Sequence, residues 1–236
     1  MFAIKHNLDS IVNKFKARIV ARGFSQKYGI NFKETFAPTV RHDTLRIFIA
    51  IVAQMDLECH QVDVNNAFTE STLQEEIWME PPDGMSVLPG QKVKVRRSLY
   101  RLKQAARDWN KTYIKELFRM GFIQSEADPC LLMHPSKGIF ILVYVDDITI
   151  ASKDIDQVNW FKQTFGTTFK IKDLGEVNMI LGVRVTRDRK KGTLRLDQTH
   201  YVNKTLAKLA IEKESHKPTK SPMDSYDDLR PAKLFN

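Results

Sequence analysis

Cysteine is nearly missing: only Cys59 and Cys130 occur in 236 residues. Neither stands in a CxxC or Cys/His spacing, and the adjacent pair Cys59-His60 is poor geometry for a shared zinc. Nothing therefore implies a disulfide framework, and both thiols read as core positions in a reducing, intracellular setting. Long apolar runs are also lacking. The longest, 47–53 and 139–145, are too short to span a bilayer, and no leader pattern opens the chain. A soluble protein with no membrane partner is expected. No internal repeat is visible. Positive charge is absent between Arg46 and Lys92, where Asp56, Glu58, Asp63, Glu70, Glu75, Glu76, Glu80 and Asp83 all fall.

On either side of that acidic window lie basic segments, 14–46 and 92–119, and the whole chain carries a net charge of +9. A polyanionic partner follows, though basicity alone does not separate nucleic acid from a membrane surface. Segregated charge fits a cleft with acidic chemistry at its floor and basic walls for phosphates. With 42% hydrophobic residues the chain has enough apolar surface for a substantial core.

Residues 140–151 organise the rest. Two apolar, β-branched runs flank Asp146 and Asp147, which predicts a hairpin with two carboxylates at its tip. Adjacent carboxylates repel, and a hard divalent cation with oxygen ligands relieves that repulsion. A solvated turn is the plainer alternative. A third carboxylate, Asp63, ends a short strand at 60–64 between two valines, which is awkward unless it has a partner or the strand is an edge. Together, Asp63, Asp146 and Asp147 suit a pair of ions about 3.5–4 Å apart.

Elsewhere, residues 15–22 alternate apolar and basic and predict a strand. Its Lys14, Lys16, Arg18 and Arg22 face either solvent or a phosphate backbone. A helix follows, capped by Asp43 or Thr44, with Leu45, Phe48, Ile49, Val52 and Met55 on one face. Strands are expected at 75–80 and 92–97. A helix over 103–120 carries the stripe Ala106, Trp109, Tyr113, Leu117 and Met120, and Gly121 stops it. Lys103, Arg107, Lys111 and Lys115 form a positive ridge on that helix, solvated or phosphate-facing. Further on, a hairpin at 130–145, a helix capped by Asp154, strands at 169–172, 179–186 and 193–196, a charged turn at 187–192 and a helix at 199–210 complete the pattern. A turn at 7–10 and a polar tail after Glu212 are expected to be irregular.

With these parts in order, the chain resembles the reverse transcriptases of copia-type LTR retrotransposons. The resemblance is carried by Lys16-Ala17-Arg18-Ile19-Val20-Ala21-Arg22-Gly23-Phe24, Phe36-Ala37-Pro38-Thr39-Val40, Asp63-Val64-Asn65-Asn66-Ala67-Phe68, the run Leu99 through Trp109, Tyr144-Val145-Asp146-Asp147, and the segments at 169–175 and 180–183. It implies an α+β fold: a right-hand polymerase palm, an antiparallel sheet backed by helices, with fingers and a partial thumb. The parts would be fingers at 1–60, palm at 61–90, a mixed fingers and palm segment at 91–125, palm again at 126–186, and partial thumb and tail at 187–236. It implies RNA-directed DNA polymerase activity with two Mg²⁺, or Mn²⁺, held by Asp63, Val64, Asp146 and Asp147. Lys16, Arg18, Phe68, Tyr100 and Gln104 would bind the nucleotide, with Phe68 under the sugar to exclude a 2′-hydroxyl. Leu181 and Gly182 would position the primer, and Arg22, Lys103 and Arg107 would contact nucleic acid. The partners implied are an RNA or DNA template with its primer, and dNTPs. A cytoplasmic location is implied, within virus-like particles and with nuclear access.

Three departures from the family pattern stand out: Arg101 where Gly is usual, Ala106 where Pro is frequent, and Thr69-Glu70-Ser71 where Leu-Asn-Gly is usual. The chain is expected to be a piece of a longer product. An inactive nucleic-acid-binding remnant and a metal-dependent nuclease use the same residues and stay open as alternatives.

Overall fold

The computed structural model describes residues 2–6 and 12–209. The expected turn at 7–10, the tail after Glu212 and the Lys14 and Lys16 side chains lie outside the described residues. Two units divide the chain: Met1–Val177 with Arg187–Leu194, and Asn178–Thr186 with Arg195–Asn236.

In the first unit, β1 (Phe2–His6) and β2 (Val12–Ala17) form an antiparallel hairpin. The expected strand at 15–22 ends early, because Val20 leaves the ladder to bridge Tyr100 and the Ala21 amide donates to the Tyr100 carbonyl at 3.0 Å. Helix α1 (His42–Gln54) buries Leu45, Phe48, Ile49 and Val52, whereas Met55 is exposed just past its end. Its cap position is Arg41, not Asp43 or Thr44. Asp128, from far along the chain, accepts the Arg41 amide at 3.1 Å and so fixes the helix entry.

Next come β3 (Glu58–Val64), the single turn α2 (Ala67–Glu70), the ribbon of β4 (Thr72–Met79) and β5 (Val93–Arg97), and α3 (Ala105–Arg119). Gly121 stops α3 with φ of 94°. Then follow β6 (Ile123–Gln124), β7 (Leu131–His134), β8 (Ile139–Tyr144), β9 (Asp147–Ser152), α4 (Ile155–Gly166) and β10 (Ile171–Glu176). The Asp154 side chain caps α4, accepting from the Asp156 amide at 2.8 Å.

The main sheet has the order β10-β3-β9-β8-β7-β6, with antiparallel ladders. β3 is therefore an interior strand, and the edge-strand alternative for Asp63 falls. Val62 and Val64 of β3, Ile148 and Ile150 of β9, and Ile139, Ile141 and Val143 of β8 point to one face. There they pack on Trp109, Tyr113 and Leu117 of α3 and on Val158, Phe161 and Phe165 of α4. Each fully buried aromatic or aliphatic side chain contributes about 1.5–3 kcal/mol relative to exposure. Phe169, read as strand, is instead buried in this core.

The second unit contributes to a three-stranded sheet, β11 (Met179–Ile180), β12 (Val183–Asp188) and β13 (Thr193–Asp197), and carries α5 (Thr199–Lys208). The single strand expected at 179–186 is a hairpin. Leu181 and Gly182 have φ of 49° and 77°, the left-handed pair a two-residue loop requires.

Candidate catalytic site

The period of two along each strand decides the site. Residues that alternate with the buried valines of β3 face away from α3 and α4, so Asp63 and Gln61 share the opposite face with Asp147 and Thr149 of β9. Asp63 and Asp147 are direct register partners. Because the Val64 amide donates to the Asp146 carbonyl at 2.8 Å, the next pair along, Asp63 and Asp147, is a non-hydrogen-bonded one. Side chains of such pairs approach most closely, with Cα atoms about 4.5 Å apart. Across β3 on its other side, Lys172 of β10 is register partner to Asp63. The row Lys172, Asp63, Asp147, Tyr144 thus runs across four strands at one end of the sheet.

The turn itself is Val145 and Asp146; Asp147 already belongs to β9 and pairs with Tyr144. The sequence pattern alone places both aspartates in the turn; the ladder takes Asp147 into the strand. Val145 has φ of 55°, a left-handed conformation that β-branched residues rarely adopt. The Trp109 indole Nε1 donates to its carbonyl at 2.6 Å. Burial, followed by the charges of Asp146 and Asp63, pushes the Asp147 carboxyl up to about 6. Gln61 Nε2 lies 3.5 Å from Asp147 Oδ1.

This is carboxylate repulsion of the kind a hard cation relieves, and the donors suit Mg²⁺ or Mn²⁺. Among the described residues, however, no group of three or more His, Cys, Asp or Glu side chains is disposed to hold a metal ion.

The Phe68 ring of α2 meets Tyr100 edge-on at 4.9 Å, and the Arg18 guanidinium lies over the Tyr100 ring, 4.8 Å from its centroid. Phe68 packs against two apolar clusters, that of the main sheet and that under the β4–β5 ribbon. Arg18 and Arg22 line a cavity of about 850 Å³ with Val20, Gln26, Trp78 and Lys92. Gly23 sits where a Cβ would lie 1.7 Å from the Arg101 carbonyl oxygen, and Arg101 itself has φ of 72°. Glycine is the residue suited to both positions.

Two of the side chains expected to meet a ligand are held by protein partners. Gln104 is wholly buried: its amide donates to the Asn31 carbonyl at 2.9 Å and to Glu75 at 3.2 Å, and it accepts from Gln26 at 3.0 Å. Its side chain locks a loop in place. Arg107 breaks the expected ridge. It is buried, donating to Asp108 at 2.6 Å, Glu75 at 3.1 Å and the Glu34 carbonyl at 2.8 Å, so its guanidinium holds protein oxygens. Lys103 remains exposed, with its Nζ 4.6 Å over the Phe32 ring. Leu181 and Gly182 form the β11–β12 loop of the second unit.

Sequence reasoning missed Lys172, Asp128 and the polar role of Trp109, which had read only as part of an apolar stripe. Both cysteines are buried and free, and burial pushes each thiol up to about 12.

An acidic row at one end of a helix-backed antiparallel sheet is an arrangement suited to nucleotidyl transfer. The family model for reverse transcriptase (RNA-dependent DNA polymerase) matches residues 1–224, and the chain belongs to that family. More particularly, it is a copia-type retrotransposon sequence. It is 35% identical, over 96% of its length, to the retrovirus-related Pol polyprotein from transposon TNT 1-94 of Nicotiana tabacum. It is 33% and 32% identical, over 94% and 97% of its length, to those from transposons RE1 and RE2 of Arabidopsis thaliana. The chain spans only 17%, 15% and 16% of these relatives. No helix among the described residues is long and apolar enough to cross a membrane.

Proposed function

We propose that this chain is the RNA-directed DNA polymerase part of a copia-type retrotransposon product, extending a primer with dNTPs along an RNA or DNA template. The direct pairing of Asp63 with Asp147, next to Asp146 on the turn, carries the reading. Asp63, Asp146 and Asp147, with the backbone of Val64, would hold two Mg²⁺, or Mn²⁺. When bound, the ions supply activation of the primer 3′-hydroxyl and charge neutralisation at the leaving pyrophosphate. Arg18, with Lys16, serves the triphosphate; its position over Tyr100 supports this. Phe68, braced by Tyr100, sits under the sugar and rejects a 2′-hydroxyl. Arg22 and Lys103 contact the nucleic-acid backbone, and Leu181 and Gly182 hold the primer end. In this scheme residues 1–60 are fingers, 61–90 and 126–186 palm, 91–125 shared between them, and 187–236 a partial thumb. The product works in the cytoplasm, within particles that later give nuclear access.

Primer extension on a primed RNA template tests the reading. With Mg²⁺ or Mn²⁺ the wild-type chain extends the primer, and Asp146→Asn does not. Template binding with no extension would instead assign an inactive remnant. Template loss without dNTPs would assign a nuclease.

A further inference from the structure

We propose that Trp109 is a positioning residue: its indole N–H holds the backbone of the Val145-Asp146 turn and thereby places the carboxylates of Asp146 and of Asp147 next to it. The proposal rests on reading those carboxylates as the metal-binding site.

Trp109 is 1% exposed, and its indole has a single donor and no acceptor. A buried N–H of this kind needs an oxygen, and the core cluster around it is apolar. The oxygen it finds, at 2.6 Å, is the carbonyl of Val145, the residue before Asp146. Val145 is held at φ of 55°. Such a conformation persists in a β-branched residue only when its surroundings over-determine it. Here the turn is gripped from two sides. β3 holds it through the Val64 amide on the Asp146 carbonyl at 2.8 Å, and α3 holds it through Trp109 on the preceding carbonyl. The indole ring also packs against Tyr113 and Phe169, with centroids 5.4 and 5.1 Å away, contacts that any large ring could make. A rigid helix is thereby coupled to the one turn where a small rotation would move Asp146 and Asp147 relative to Asp63.

A space-filling role would be met by any large ring; a positioning role requires the N–H. Trp109→Phe keeps a ring and cannot donate. Phe169→Leu is the matched control, since it loosens the packing against Trp109 and leaves the hydrogen bond. Mn²⁺ binding is measured by titration of the full chain without nucleic acid, alongside extension kinetics and denaturant stability. Loss of an outer-layer hydrogen bond at a metal site lowers metal affinity or activity about 10- to 100-fold. Trp109→Phe is therefore expected to weaken Mn²⁺ binding and lower kcat by at least about ten-fold, with KM for dNTP and primer–template affinity unchanged. Phe169→Leu is expected to lose stability but keep wild-type Mn²⁺ affinity and kcat.

Wild-type Mn²⁺ affinity in Trp109→Phe overturns the proposal, as does an equal loss of affinity in Phe169→Leu. A wild-type chain that binds Mn²⁺ but never extends a primer sinks the polymerase reading alone, and the affinity comparison still decides the role of Trp109. A wild-type chain that binds no Mn²⁺ overturns both.

Discussion

Asp147→Asn should stabilise the metal-free protein while abolishing extension. The reason is the position of Asp147 on β9, half-buried and facing Asp63 with Asp146 beside it. Its carboxyl is raised from 3.8 to about 6, by burial first and then by those two charges. At about 1.4 kcal/mol per unit the undiscounted penalty for ionising it is roughly 3 kcal/mol. The group is partly exposed, so water and salt screen much of this, and about 1–1.5 kcal/mol is a fair working value. For a domain of this size that corresponds to roughly 2–6 °C in Tm.

The sign of the pH dependence follows. Below about pH 4 the carboxyl is protonated in both the folded and unfolded chains, and the penalty is absent. As pH rises from about 4 to 6 the unfolded chain releases this proton first. The folded state binds more protons over that window, so its stability falls with pH. Above about 6 the penalty is complete. Denaturant unfolding in EDTA should therefore give Asp147→Asn its full advantage at pH 7.5 and almost none at pH 4. A variant less stable than wild type at pH 7.5, or equally favoured at both pH values, would refute the reasoning.

Other outcomes follow from the surrounding geometry. Arg101→Gly relieves a left-handed backbone at φ of 72° and should stabilise by about 1 kcal/mol in a denaturant melt, whereas Gly23→Ala should be severely destabilising because its Cβ meets the Arg101 carbonyl. Arg107→Met leaves Asp108 and Glu75 buried without their cation and should lose about 3–5 kcal/mol. In the fraction that folds, the salt dependence of template binding should match wild type, whereas a lost phosphate contact would lower its slope by about one.

The elements legible in the sequence were those with strong local signals. The hydrophobic runs around Asp146, the apolar stripe of α3, the Asp154 cap and the Gly121 stop all state their structure within a few residues. Where a partner from far along the chain intervened, local reading failed. Asp128 took over the entry of α1, and Tyr100 drew Val20 out of its strand. Arg107 looked like one member of an exposed ridge because its spacing is periodic. Its burial depends on Glu75, 32 residues away, and on the Glu34 carbonyl, 73 residues away. Gln104 likewise read as a pocket residue until three distant partners used its amide.

The order of motifs along the chain determined the family and singled out three aspartates as candidates, because side-chain chemistry and spacing are properties of the sequence itself. Tertiary structure alone decided that Asp63 faces Asp147 across neighbouring strands, since register is set by how the valines of β3 and the isoleucines of β9 bury the same face against α3 and α4. It alone decided, too, that a buried indole reaches the backbone of the turn, for a hydrogen bond spanning 36 residues leaves no periodic trace in the sequence.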